Sequence, residues 1–141
     1  MPCTKTSISI SNISNIPFTH LAGDAKQRVE RDKFTALCRE LRAAFDLNQP
    51  ANKRWTLSAS VSAGTVKIDT AYDVPAMNDI LDWVNVMAYA LWTQIKPVTG
   101  HYTGMARPTE PGNYMERYHD KIAPVAIQTW IDRGMSRGKV I

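Results

Sequence analysis

The sequence has no run of 18 or more apolar residues, so nothing in it reads as a membrane-spanning helix, and no membrane partner is expected. Cysteine is almost absent: Cys3 and Cys38 are too few for a disulfide framework. Cys38 falls on a helical apolar stripe and reads as a small buried hydrophobe. A single-signed charge excess is missing as well. Seventeen Lys and Arg against 13 Asp and Glu leave a net charge of +4, spread from Lys26, Arg28 and Arg31 to Arg133, Arg137 and Lys139. A nucleic-acid surface would gather such residues in a stripe with interleaved aromatics, so no nucleic-acid partner is expected. His20, His101 and His119 lack the spacing of a metal-binding pair, and no metal ligand is assigned. The opening residues MPCTKTSISISNISNIP break each apolar pair with Ser or Asn, unlike the continuous apolar stretch of a secretory signal. Asn12-Ile13-Ser14 has the form of a glycosylation acceptor, which has meaning only in a secreted chain.

What remains is an ordinary globular composition. The 141 residues are 44% apolar and 21% charged, enough to bury a core at this length. Residues 1–22 read as a poorly ordered leader or a short alternating strand, and 23–141 as the folded domain. A helix is expected from about Lys26 to Asp46, where Phe34, Leu37, Cys38, Leu41 and Phe45 draw one apolar stripe and Arg31, Glu40 and Arg42 lie away from it. Pro50 stops it. In Trp55 to Val61, Leu57, Ala59 and Val61 alternate with Thr56, Ser58 and Ser60, the period of a strand. A loop closing at Tyr72-Asp73-Val74-Pro75 leads to a short helix over Ala76 to Leu81. Trp83 to Tyr89 reads as a second strand, apolar on both faces, as in helix-covered parallel sheets. Residues 90–121 hold most of the turn-formers and read as one long loop. A last helix is expected from Pro124 to Arg133, burying Ala126, Ile127, Trp130 and Ile131, with Gly134 past its end and a strand opening at Lys139 to Ile141. The alternation implies βαβ units in a parallel sheet.

Three blocks resemble glycoside hydrolase family 18, the chitinases and chitinase-like lectins. KFTALCRELRAAFD (Lys33 to Asp46) is similar to the helix after the family's catalytic strand. LSASVSAGTVKIDTAYDVPAM (Leu57 to Met77) is similar to the next strand and its connection. LDWVNVMAYALW (Leu81 to Trp92) with Thr99-Gly100-His101 is similar to the strand that ends in Met-x-Tyr-Asp and the loop beyond it. TWIDRGMSRGKVI is similar to the helix leading into the seventh strand. The resemblance spans about Lys26 to Ile141. It implies an α/β fold, part of a (β/α)8 TIM barrel from about helix four to the start of strand seven, where a whole barrel takes about 250 residues. It implies no cofactor and an extracellular setting.

The family's acid catalyst is the Glu that ends an Asp-x-x-Asp-x-Asp-x-Glu run on the strand before the first of these helices, with the substrate's own acetamido group as nucleophile. Asn15 to Asp24 holds no such run. The nearest lookalike, Asp79-Ile-Leu-Asp82-Trp-Val84-Asn-Val86, has valines where the last Asp and the Glu belong and reads as coincidence. Met87 and Tyr89 match the Met and Tyr of Met-x-Tyr-Asp, and Ala90 replaces the Asp. No catalytic residue is therefore assigned. Met87, Tyr89 and Trp92 are the candidate substrate-binding residues, each weighed against plain packing; period two would put Asn85, Met87 and Tyr89 on one strand face. The expected function is a chitinase-like chain that is inactive alone. The alternatives are a chitin or chito-oligosaccharide-binding lectin, or part of an active secreted chitinase hydrolysing β-1,4-N-acetylglucosamine linkages. Exposed strand edges imply self-association.

Overall fold

A computed structural model of the chain describes residues 7–11, 24–92, 100–106 and 121–141. Three parallel strands, β1 (Ser7–Ser11), β2 (Thr56–Ser62) and β3 (Trp83–Met87), lie in the order β1-β2-β3. Helix α1 (Asp24–Asn48) connects the first two; α2 (Thr65–Ala71) and α3 (Val74–Ile80) connect the second two. The register pairs Ser9 with Ser58 and Ile10 with Ala59 on one side of β2, and Ala59 with Val84 and Ser62 with Met87 on the other. After α4 (Ala123–Asp132) and a 3-10 turn (Arg137–Lys139), Val140 bridges in parallel to Val84. Ile141 donates its N–H to Val84 and accepts from Val86, at 2.9 and 2.8 Å.

Strand order that advances in one direction, joined by right-handed crossovers, puts both sets of helices on the same face of the sheet. The core is built there. Leu57, Ala59 and Val61 of β2 and Val84 of β3 pack under Phe34, Cys38 and Phe45 of α1, Ile68 of α2, Met77 of α3 and Trp130 of α4. The alternate residues Ser58, Ser60, Ser62, Trp83, Asn85 and Met87 form the other face, which no helix covers among the described residues. For this reason β3 is not buried on both faces as expected: only Val84 is fully buried, and the other four residues are half-buried.

Several boundaries and one whole element differ from the sequence reading. Ser7–Ser11, in the segment read as a leader or an alternating strand, takes the strand form. The stretch read as a loop after β2 contains α2. Its seven residues supply only one buried side chain, Ile68, too little to draw an apolar stripe in the sequence. β3 ends at Met87 rather than Tyr89. The strand expected at Lys139–Ile141 is a 3-10 turn followed by a single bridge. Of the expected 90–121 loop, 93–99 and 107–120 lie outside the described residues.

The helix ends follow local chemistry. Asp73 caps α3, its carboxylate accepting from the Ala76 N–H at 3.2 Å, with Pro75 in the first turn. Lys139 Nζ donates to the Asn78 and Leu81 carbonyls at 2.6 and 2.9 Å, closing the other end of the same helix. Helix α4 ends on Gly134, whose φ of +111° is one a side chain would strain. There the Met135 N–H reaches back to the Trp130 carbonyl at 3.0 Å.

Candidate functional site

In parallel α/β barrels the chemistry sits at the C-terminal ends of the strands. Here that end of β2 is fixed by two aromatic side chains from the helix layer. Trp130 Nε1 donates to the Ser62 carbonyl at 2.9 Å, and the Tyr72 hydroxyl accepts from the Ser62 N–H at 3.1 Å. The two rings are tilted against each other at 5.1 Å, and Phe34 meets Tyr72 edge-on at 6.0 Å. Burial raises the Tyr72 phenol pKa, opposed in part by the bond to Ser62. Both main-chain groups of the last β2 residue are thus held by side chains, a role the sequence did not reveal for Tyr72.

Beside it, β3 leaves the sheet through a tight turn. The Ala88 N–H closes on the Val86 carbonyl at 2.8 Å, and Ala90 sits at a φ of +54°. That left-handed conformation disfavours a residue with a Cβ and is tolerated best by Gly, Asn and Asp. The main chain at Ala90 therefore has a shape that Asp, the residue expected there from the Met-x-Tyr-Asp resemblance, also adopts readily. The Leu91 N–H then donates to the Tyr102 carbonyl at 3.0 Å, bringing the far side of the loop to the strand exit. Trp92 packs flat on Gly100: a Cβ there would come within 2.6 Å of three indole atoms. Farther on, the Gly104 carbonyl accepts from the Ala123 N–H at 2.8 Å, where α4 begins.

The three candidate binding residues occupy this region in different ways. Met87 ends β3 opposite Ser62 and is half-buried. Tyr89 lies beyond the strand with 55% of its surface exposed, so the period-two argument reaches Asn85 and Met87 and stops short of Tyr89. Trp92 is half-buried with one side of its indole against Gly100. Tyr102, which the sequence did not single out, is 60% exposed next to the same turn. Neighbouring groups on the open sheet face are Ser60, Ser62 and Asn85, all neutral and hydrogen-bonding.

The opposite end of the sheet is charged and closed. Arg42, expected on the solvent side of α1, is buried. Its guanidinium donates to the Trp55 carbonyl at 3.0 Å and pairs with Asp46 at 2.7 Å and Asp82 at 3.4 Å. It also lies 5.5 Å over the Phe45 ring. Asp82 accepts the Leu57 N–H at 2.7 Å and pairs with Arg54 at 3.0 Å. The carboxylate of the lookalike motif is therefore a clamp between the starts of β2 and β3, at the wrong end of the strand for catalysis. Cys38 is no nucleophile: burial pushes its thiol pKa up to about 11, which keeps it protonated. Among the described residues no cluster of three His, Cys, Asp or Glu could hold a metal ion, and no helix is long and apolar enough to cross a membrane.

Comparison with known proteins agrees with this geometry. Residues 12–141 match the profile of glycosyl hydrolases family 18. Mouse chitotriosidase-1 is 29% identical over 122 residues, 84% of this chain and 25% of that protein. Human chitinase-3-like protein 2 is 31% identical over 118 residues, 79% of this chain and 29% of that one. Among solved structures, catalytic domain 2 of the Ostrinia furnacalis Group II chitinase superposes with a TM-score of 0.69 at 30% identity, covering 86% of this chain and 28% of that one. Human YKL-39, described as a pseudo-chitinase with retained chitooligosaccharide binding properties, superposes at 0.70 with 28% identity, covering 81% and 32%. The chain spans only about a quarter to a third of these relatives, all within the same α/β architecture. It belongs to glycosyl hydrolases family 18.

Proposed function

We propose that these 141 residues form a chitinase-like polypeptide that does not hydrolyse β-1,4-linked N-acetylglucosamine. The observation that carries this reading is the strand ahead of α1. It pairs in parallel with β2, the place the family resemblance gives to the catalytic strand, and its sequence is Ser-Ile-Ser-Ile-Ser. General-acid catalysis needs a protonated carboxyl at the scissile oxygen, and β1 has none to offer. Ala90 removes the second polar group, the one that would steady the acetamido nucleophile. The parallel order, the helices on one face and the bridge from Val140 to Val84 support a partial barrel running from strand four to the opening of strand seven. Purified chain given a fluorogenic chitotrioside is expected to release no fluorophore above a protein-free blank. Turnover that persists through repurification would contradict the reading.

A second reading, retained binding of chito-oligosaccharides, is supported by the exposed Tyr89 beside a turn where Ala90 takes a left-handed conformation open to Asp. YKL-39 shows that hydrolysis and binding separate within this family. Met87, Tyr89 and Trp92 would make the contacts, in an extracellular setting. The outer edge of β1 and the edge of Val140 carry no further strand among the described residues, which favours self-association of the isolated polypeptide.

A further inference from the structure

We infer that Tyr102 is a sugar-stacking residue of this chain and that Trp92 serves to hold it in place. The inference rests on the chito-oligosaccharide reading above, adds Tyr102 to its contacts and moves Trp92 from a contact to a support. Tyr102 is tied to the β3 exit by its own carbonyl, which accepts the Leu91 N–H at 3.0 Å. On one side, Gly100 is locked under the Trp92 indole with no room for a Cβ. On the other, Gly104 bonds to Ala123 and lies against Ile122, where an added Cβ would come within 3.2 Å. The backbone carrying Tyr102 is therefore pinned at three points, while the residue as a whole stays 60% exposed. A ring on a pinned backbone loses little conformational freedom when it meets a ligand, the condition for a good aromatic anchor.

The neighbourhood favours a carbohydrate. Tyr89, 55% exposed, comes off the same turn, two residues before the Leu91 N–H that Tyr102 accepts. Tyrosine presents a flat apolar face to the C–H side of a pyranose and a hydroxyl to its polar rim. The sheet face that ends at Met87, two residues before Tyr89, carries uncharged donors and acceptors, Ser60, Ser62 and Asn85. A packed Trp92 with one indole side already covered is the weaker platform of the two.

Isothermal titration of the 141-residue chain with chitotetraose tests this, run beside Tyr102→Ala, Tyr102→Phe and Gly100→Val. Tyr102→Ala is expected to raise Kd by about tenfold, the upper end of an aromatic stacking contribution. Tyr102→Phe keeps the ring face and should stay within about threefold of the parent. Both should leave thermal unfolding close to the parent's, because Tyr102 is 60% exposed and its bond to Leu91 is made by the main chain. Gly100→Val displaces Trp92 and should weaken binding as much as Tyr102→Ala does. Parent-like affinity in Tyr102→Ala would overturn the inference and leave the binding reading standing. A Phe variant as weak as the Ala variant would rule out ring stacking, and parent-like binding in Gly100→Val would rule out the supporting role of Trp92. A parent chain that does not bind chitotetraose overturns both the inference and the reading beneath it.

Discussion

The two ends of the parallel sheet are built from different chemistry. At the N-terminal end, the largely buried Arg42 and Asp82, with the exposed Asp46 and Arg54 as outer partners, cross-brace α1, β2 and β3 through ion pairs and main-chain bonds. At the C-terminal end the contacts to the β2 terminus come from neutral side chains. Neutral aromatics take over: Tyr72 and Trp130 inside the helix layer, Tyr89 and Tyr102 outside it. Charge buried at one end fixes relative strand position, because separating the partners strands an ion away from water. Aromatic and amide surface at the other end leaves groups free to meet a neutral ligand. Division of labour along the strand, stability below and recognition above, is what a parallel barrel does with its two rims. In this chain the Arg42 and Arg54 pairs with Asp82 stand at the N-terminal end, and Ala90 stands past the C-terminal end of β3.

The largest expected effect comes from breaking the lower brace. Asp82→Ala leaves the Arg42 and Arg54 guanidiniums without this carboxylate and the Leu57 N–H without its acceptor. Loss of one partner of a buried pair costs about 3–5 kcal/mol, read as a lower urea midpoint at unchanged slope. Chitotetraose affinity of the folded protein should not move. An affinity change would erase the distinction between the two ends.

A middle-sized effect is expected on the upper side of the core. Tyr72→Phe removes the acceptor of the Ser62 N–H and keeps the ring packing against Phe34 and Trp130. Leaving that donor unsatisfied costs about 1–3 kcal/mol in urea unfolding. A cost as large as that of Asp82→Ala would mean that the aromatic end is as much a structural brace as the charged one.

The smallest effect is a pH dependence. Asp69 of α2 pairs with Arg133, the residue that closes α4, and the guanidinium hydrogen bond holds the carboxyl pKa below its ordinary value. A carboxyl depressed in the folded state stabilises above its unfolded pKa, about 3.9, and loses that contribution as pH falls through the folded value. Melting temperature should therefore drop slightly more for the parent than for Asp69→Asn between neutral pH and pH about 3. Both groups are exposed, so salt should shrink the difference. Equal pH dependence in parent and variant would show that the pair contributes nothing.

Regular periodicity made the long elements legible. Of the expected α1 stripe, Phe34, Cys38 and Phe45 are buried, Leu41 is half-buried and Leu37 is 40% exposed, while the alternation of Leu57, Ala59 and Val61 marks β2 correctly. Short elements and long-range partners were not legible. Seven-residue α2 has no recognisable stripe, and nothing local in the sequence tells Arg42 that Asp82 lies forty residues away at the foot of β3. Of the candidate site, Met87 and Tyr89 could be found through the resemblance to the family motif, which is a local signal. Tyr102 could not, since its place beside Leu91 depends on loop closure over Gly100 and Trp92.

Amide hydrogen–deuterium exchange of the chain with and without chitotetraose tests the division between the two ends most directly. The account predicts added protection across Met87 to Trp92 and Gly100 to Gly104, with none around Arg42, Arg54 and Asp82. Protection centred on the Arg42–Asp82 end, or no protection at a saturating concentration of the sugar, would contradict it.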